Sequence, residues 1–451
     1  MKNFKQIMTI AGATLAMLST QSLAQNNEAI RFQAEFLADQ LTWDDVLTRA
    51  GQEGEVQFYY WGGSDNLNVW IDSFVTPELA KQGVKLVANR ITSTKDAVDL
   101  VIAEKNSGRG IGEGSVDAIW LNGENFFTLS RQKLLFGPFA KNLPNSENFE
   151  WNEEDPRSVL NLRDFGVKTN AQEVPWSGEQ FVCAVNKAVL SGESIPSTFP
   201  ELRAFLEENP GTFAYIKPPH YIGNTFVQEV MYAFNPDGTG AEPFQKPIDE
   251  LGVDELARLT EPGFKFLKDL EPLLLGGPSG ATRYLENPAS AAGLFRNSEI
   301  YMHCEFGLYR VATSRENGTY PQSAEEFIFP VGNMIKNKNY LAIPGNAPNA
   351  AAALVFANFM ASIDAQISKL ETIGYPAGVD IWKLSDADAK RLEDAAPEHF
   401  GVSQADLDAN IAPDTNATLV DLIEATWLEY IERDSELPIL EIMRSAANSN
   451  R

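Results

Sequence analysis

The sequence predicts an α/β protein with a mainly parallel sheet, divided into two domains, and three observations predict it. β-rich runs alternate with helical periods of about a dozen residues, which is the signature of βαβ units. Hydrophobic residues make up 44% of the chain and charged residues 22%, the balance of an ordinary folded protein. The 451 residues exceed what one ordinary core accommodates, so two domains are expected, with room for one to be threaded through the other.

The elements follow in order. Val56 to Trp61 is a β-rich run, and Asn66 to Phe74 has helical spacing. Val84 to Ile91 reads as the next strand. Ser93 to Lys105 reads as a helix opened by a capping box in which Ser93 faces Asp96. Val116 to Leu121 is a third strand and Glu124 to Leu135 a third helix. After Gly137-Pro138 comes a polar, loop-rich stretch from Asn142 to Asn170, then a strand at Gln180 to Asn186. The helix expected at Phe199 to Glu208 stops at Asn209-Pro210-Gly211, where proline bars further helical hydrogen bonding. Ile300 to Phe306, Glu326 to Pro330 and Asn339 to Ile343 are strand-like. Asn349 to Leu370 reads as one amphipathic helix, because Ala352, Val355, Phe356, Phe359, Met360 and Ile363 form a single stripe. Gly374, Pro376 and Gly378 break the chain again, and the tail to Arg451 is acidic and mostly helical.

Residues 1–24 read as a cleaved export signal. Lys2 and Lys5 form a basic start, Ile7 to Leu18 an apolar core, and Ser22-Leu23-Ala24 a small-residue cleavage site ahead of Gln25. An apolar run of that length is too short for the roughly 30 Å of a bilayer's hydrocarbon core. No cysteine sits at the cleavage point to carry a lipid. The expected location is the periplasm. With 36 Lys and Arg against 62 Asp and Glu, the net charge is −26. Such a surface repels phosphate backbones and anionic headgroups, which argues against nucleic acid and membrane surfaces as partners. Cys183 and Cys304 are the only cysteines, both in apolar, strand-like runs. Two buried thiols are expected, and a disulfide is the alternative that an oxidising compartment allows.

The search for catalytic motifs is negative. There is no phosphate-cradling GxxxxGK[ST], no HExxH and no GxSxG. The three histidines, His220, His303 and His399, match no zinc spacing. Gly108 to Gly112 is glycine-rich but lies between a helix and a strand, the wrong context for a dinucleotide fingerprint. No cofactor or metal is expected. The positive signals are Trp61-Gly62-Gly63-Ser64 after the first strand and Leu121-Asn122-Gly123-Glu124-Asn125 after the third. In parallel sheets ligands sit beyond the strand C-termini, where helix N-termini offer unpaired N–H groups. Ser64, Asn122 and Asn125 also suit plain helix capping, and that reading stays open.

These segments resemble bacterial extracellular solute-binding proteins of ABC importers, nearest the YnjB-like group, over nearly the whole chain after the signal. The resemblance rests on Asp117 to Phe126, Leu135 to Phe139 and Leu143 to Asn145. It continues through Pro175-Trp176, Pro218-Pro219 ahead of Gly223 to Phe226, and Leu341-Ala-Ile-Pro344 with its helix. It implies a two-lobed periplasmic-binding-protein fold, a type II-like clamshell in which each lobe is a mixed, mainly parallel sheet flanked by helices. Lobe 1 is expected to hold 25–143 and 334–374, and lobe 2 to hold 144–333 and 375–451 with the C-terminal helical tail. The implied function is capture of a small solute by a monomer and its delivery to ABC permease subunits in the inner membrane. A secreted α/β hydrolase and a ligand-sensing partner of a membrane receptor are the alternatives. The ligand-binding candidates are Trp61, Ser64, Asn122 and Glu124 from lobe 1, Trp176 and Gln180 from the hinge, and Tyr221, Asn224 and Glu305 from lobe 2. The loop at His220 is expected to open a helix at Thr225. Trp176 has core packing as its alternative, and Glu124 has service at the positive end of its own helix as its alternative. Aromatic and acidic residues together suit a small organic cation.

Overall fold

The computed structural model describes residues 26–190, 192–332 and 334–449; the export signal expected at 1–24 lies outside them. Ten strands occur: β1 (Glu55–Trp61), β2 (Lys85–Ile91), β3 (Ala118–Leu121), β4 (Arg163–Asp164), β5 (Val167–Lys168), β6 (Glu173–Asn186), β7 (Met302–Phe306), β8 (Ala324–Phe327), β9 (Met334–Ala342) and β10 (Ile411–Ala412). β1 pairs in parallel with β2 and β3, and each is followed by a helix, as the alternation of periods predicts. β3 then pairs antiparallel with the end of β9, from Ile119↔Ala342 to Leu121↔Tyr340.

β6 and β9 carry the chain from one half of the sheet to the other. Glu173 to Gln180 pairs with β9, and Phe181 onward pairs with β7 and β8, all antiparallel. The start of β9 pairs in parallel with β10. The sheet is therefore mixed, with its regular parallel pairs gathered mainly at β1, β2 and β3. β6 is 14 residues long and buried at every position except Glu179. Its first half was hidden in the sequence because proline is unusual inside a paired strand. Pro175 is accommodated at an irregularity, where the register shifts between Pro175 and Ser177.

Several local expectations are corrected. The span read as one helix from Asn349 to Leu370 is two helices, Ala350–Met360 and Ile363–Ile373, bent by 63°. Ser362 makes the break by accepting the Ala365 N–H, a cap that competes with helix continuation. The first of the pair is not amphipathic. Ala351, Ala353, Leu354 and Ala357 are as buried as the predicted stripe, because β1 lies on one side and helix Trp43–Glu53 on another. Its own N-cap, Asn349, makes no side-chain cap, so Asp117 and Glu53 accept the Asn349 and Ala352 N–H groups instead. These carboxylates sit at the positive end of the helix.

Ser93 does cap its helix, but it accepts from Lys95 rather than Asp96, and no capping box forms. The third helix ends at Arg131, four residues early. The helix expected to open at Thr225 runs from Tyr221 to Ala233 with His220 as N-cap. Cys183 and Cys304 are joined as a disulfide rather than left as thiols, because they face each other across β6 and β7. Among the described residues no single helix is long and apolar enough to cross a membrane. The tail is helical as expected, and Ala417–Trp427 and Ile439–Ser449 pack together and against Val253–Leu270.

Candidate functional site

At the C-terminal ends of β1 and β3 the sequence supplies Trp61, Ser64, Asn122 and Glu124. Trp61 is 37% exposed and meets Trp120 edge-on, with ring centroids 6.4 Å apart. Trp120 meets Trp176 edge-on at 5.0 Å, so three indoles run from solvent down to the crossing strand. The Trp120 indole N–H and the Asn122 amide both donate to Asn339 Oδ1 on β9, at 3.1 and 3.2 Å. Ser64 caps helix Asp65–Trp70 by accepting the Leu67 N–H. Gly123 has φ 61, a conformation that favours glycine, and a Cβ there would meet the Phe165 ring at 3.1 Å. Its N–H donates to Asp164 Oδ2 at 2.7 Å, which sets the direction of helix Glu124–Arg131.

Tyr221, 57% exposed, stacks on His220 and on Phe306 at the end of β7, with centroids 5.1 and 5.8 Å apart. Three residues on, the Asn224 amide donates to Glu424 Oε2 at 3.1 Å. Glu305 is 3% exposed and binds the Nε and Nη2 groups of Arg310 at 3.2 and 3.3 Å. It also accepts the Tyr320 hydroxyl at 2.6 Å. Burial works to raise its pKa, but Arg310, His303 and Tyr320 together hold it below the usual carboxylate value.

Glu124 and Tyr221 are exposed at the surface. Burial raises the Glu124 carboxyl, and the charges of Asp421 and Glu424, on a helix that packs against its own, raise it further. Tyr375, half-buried, is pushed up to about 12 by burial and by nearby Glu179, against Arg310 and Ser64. Glu179 is pushed up to about 7 by burial, against the Leu308 N–H, Lys369 and Arg310. The charges of Tyr375, Glu179, Glu305 and Arg310 act on the Tyr221 hydroxyl, and those of Asp421 and Glu424 on Glu124.

Trp176 and Gln180 turn into the protein. Trp176 is 1% exposed and carries Lys369 over its ring at 5.0 Å. Gln180 is fully buried and donates to the Leu407 carbonyl. Side chains alternate along a strand, so in β6 it is Glu179 that faces outward. Sequence reasoning missed Glu179, Arg310, Tyr375, Asp421 and Glu424. Alternation about Gln180 was a usable signal for Glu179; nothing local marks the others. Two surface hollows, of about 230 Å³ beside Glu28 and Arg49 and about 320 Å³ beside Asp237 and Lys246, hold none of these residues. Among the described residues no group of His, Cys, Asp or Glu is arranged to hold a metal.

Residues 73–390 match the family of bacterial extracellular solute-binding proteins. The chain belongs to that family. This solute-binding protein is 31% identical over 390 residues to Protein YnjB of Escherichia coli strain K12, covering 86% of this chain and 93% of the relative. A substrate-binding protein of an ABC transporter from Bradyrhizobium japonicum superposes with a TM-score of 0.58 at 17% identity, over 84% of this chain and 99% of that one. The spermidine/putrescine ABC transporter substrate-binding protein PotD from Streptococcus pneumoniae superposes at 0.50 and 12% identity, over 78% and 94%. At such identities the structural likeness shows the fold alone. Membership makes this a solute-binding protein of the ABC-transporter type. It implies a small-molecule ligand, an ABC permease as partner and a place outside the cytoplasm.

Proposed function

We propose that this solute-binding protein captures a small organic cation between its lobes in the periplasm and delivers it to its permease. The observation that carries the reading is that helix Glu124–Arg131 packs against helix Ala417–Trp427, so that Glu124 lies in the field of Asp421 and of Glu424, which also accepts the Asn224 amide at 3.1 Å. Like charges brought together oppose closure, and a cation between them reverses the sign of that interaction. A ligand shifts an open–closed equilibrium only through differential contact, and this arrangement supplies it. Trp61 and Tyr221 add the electron-rich faces on which an organic cation rests. β6 and β9, which run through both halves of the sheet, serve as the hinge. The lobe boundaries fall near Leu143 and Met334. The name of the Streptococcus pneumoniae neighbour is compatible with a cationic solute, and the net charge of −26 favours its approach.

Isothermal titration with putrescine, spermidine and thiamine tests the reading. Micromolar binding that weakens at least tenfold in Glu424→Gln is expected. Silence with all three cations, together with binding of a sugar or an anion, refutes it.

A further inference from the structure

Asn339 sits where β9 meets both β3 and β6, and its hydrogen bonds fix which way its amide faces. It pairs with Ser177 of β6 and directly precedes Tyr340, which pairs with Leu121 of β3. Its Oδ1 accepts the Trp120 indole N–H at 3.1 Å and the Asn122 amide at 3.2 Å. An indole nitrogen can only donate. The atom facing Trp120 is therefore the oxygen, and turning the amide over would lose that bond. Both N–H groups of Asn339 are thus directed away from Trp120, and neither has a hydrogen-bond partner among the described residues. Asn122 is oriented by the same contact. It gives an N–H to Asn339, so its own Oδ1 is directed elsewhere and is likewise without a partner among the described residues. Trp120, Asn122 and Asn339 are each half-buried, and an unpaired polar group in such a place costs free energy that a matching partner returns. Aromatic rings adjoin the two amides. Trp61 meets Trp120 edge-on at 6.4 Å and lies against Gly63, where a Cβ would collide with its ring. Trp176, which meets Trp120 at 5.0 Å, is buried with its own indole N–H unpaired.

We infer that Asn339 and Asn122 form one edge of the solute site, and that the solute carries a planar group with an acceptor and an N–H donor on neighbouring atoms, a carboxamide or an amino-substituted nitrogen heterocycle. The acceptor takes an N–H of Asn339 and the donor gives to Oδ1 of Asn122. Neither amide breaks a bond it already makes, and the Trp120 contact has fixed Asn339 in advance, so little ordering remains to be done on binding. The exposed ring of Trp61 offers an apolar face to a planar group. The inference rests on the reading of the site as one for an organic cation and names a second group that the cation carries. Glu124 follows Asn122 by two residues, at most about 7 Å of backbone, so the charge and the planar group belong to one compact solute. An aliphatic polyamine leaves the Asn339 donors unmatched.

The test is titration calorimetry of the native protein with three monocations of nearly equal size. 1-Methylnicotinamide has the acceptor and the donor, 1-methyl-3-acetylpyridinium has the acceptor alone, and 1,3-dimethylpyridinium has neither. Uncharged nicotinamide is the fourth compound. The expected affinities fall in that order for the three cations, with at least tenfold between the first and the third. Asn339→Asp still accepts from Trp120 and Asn122 but has no N–H to give, and in it the ratio should fall below threefold. In Asn122→Ala the first two cations should become equal while the second keeps its lead over the third. A merely structural role for the amides weakens all three cations alike and leaves their ratios unchanged in both variants, which overturns the inference. The comparison within the native protein needs no variant, so it decides the matter even where a variant fails to fold. Three cations that bind equally, and are all lost in Glu424→Gln, overturn the amide edge and leave the cation site standing. Nicotinamide binding as tightly as 1-methylnicotinamide supports the edge and overturns the cation reading. No heat from any of the four overturns the inference.

Discussion

Removing the disulfide between Cys183 and Cys304 should lower stability without changing the fold. The two residues are 121 apart in sequence, and cross-linking so long a loop restricts the unfolded chain by about 4.9 kcal/mol in the loop-entropy description. That value is an upper bound, since compact denatured chains already have part of the restriction. The native strands do not need the bond to stay together: β6 and β7 remain paired from Phe181↔Phe306 to Val185↔Met302. Unfolding entropy of about 2 cal/mol/K per residue converts the loss into a fall of about 5 °C if the whole chain unfolds at once. The fall is about 1.6 times that if the second lobe, 144–333 and 375–451, melts alone. The assay is thermal unfolding by circular dichroism of the native protein and of Cys183→Ala/Cys304→Ala, with mass spectrometry confirming the oxidised form of the former. Equal melting temperatures, within a degree, would refute the loop argument; a variant lacking native secondary structure at 20 °C would refute the claim that strand pairing suffices.

Three further outcomes follow from buried charge and close packing. Glu53 and Glu179 are pushed up to about 7 and Asp414 to about 8, each chiefly by burial. Between about pH 4 and these values the folded state holds protons that the unfolded chain has released, so this stabilisation is complete at the acid end and lost as pH rises toward 8. The melting temperature should be several degrees higher at pH 5.5 than at pH 8.5, and a flat or rising profile contradicts the assignment. Lys338 on β9 bonds Asp380 Oδ1 at 2.6 Å and Asn161 Oδ1 at 2.7 Å in a buried setting. Lys338→Met should therefore cost about 3–5 kcal/mol by stranding a charge, and Lys338→Met/Asp380→Asn should recover most of it in urea titrations. A Cβ at Gly378 would meet the Ser177 nitrogen and the Trp176 carbonyl carbon at 2.6 Å. Gly378→Ala should push on the crossing strand and cost about 1–3 kcal/mol, read as a lower urea midpoint at unchanged slope.

What the sequence determined by itself was the set of local periods and the family. β1, β2 and the helices after them were legible because alternation and helical spacing are properties of neighbouring residues. Helix Phe199–Glu208, capped by Thr198, fell at the residues expected because its start and stop signals are equally local. Trp61, Ser64, Asn122 and Glu124 were legible as strand-end residues for the same reason. Tertiary structure alone decided that Cys183 meets Cys304, that Trp176 and Gln180 turn inward, and that Asn224 meets Glu424. Those residues lie far apart in the chain and carry no mark of their own. Strand register and the packing of the C-terminal helices decide what each of them meets, and both are set by long-range burial that no local window of sequence contains.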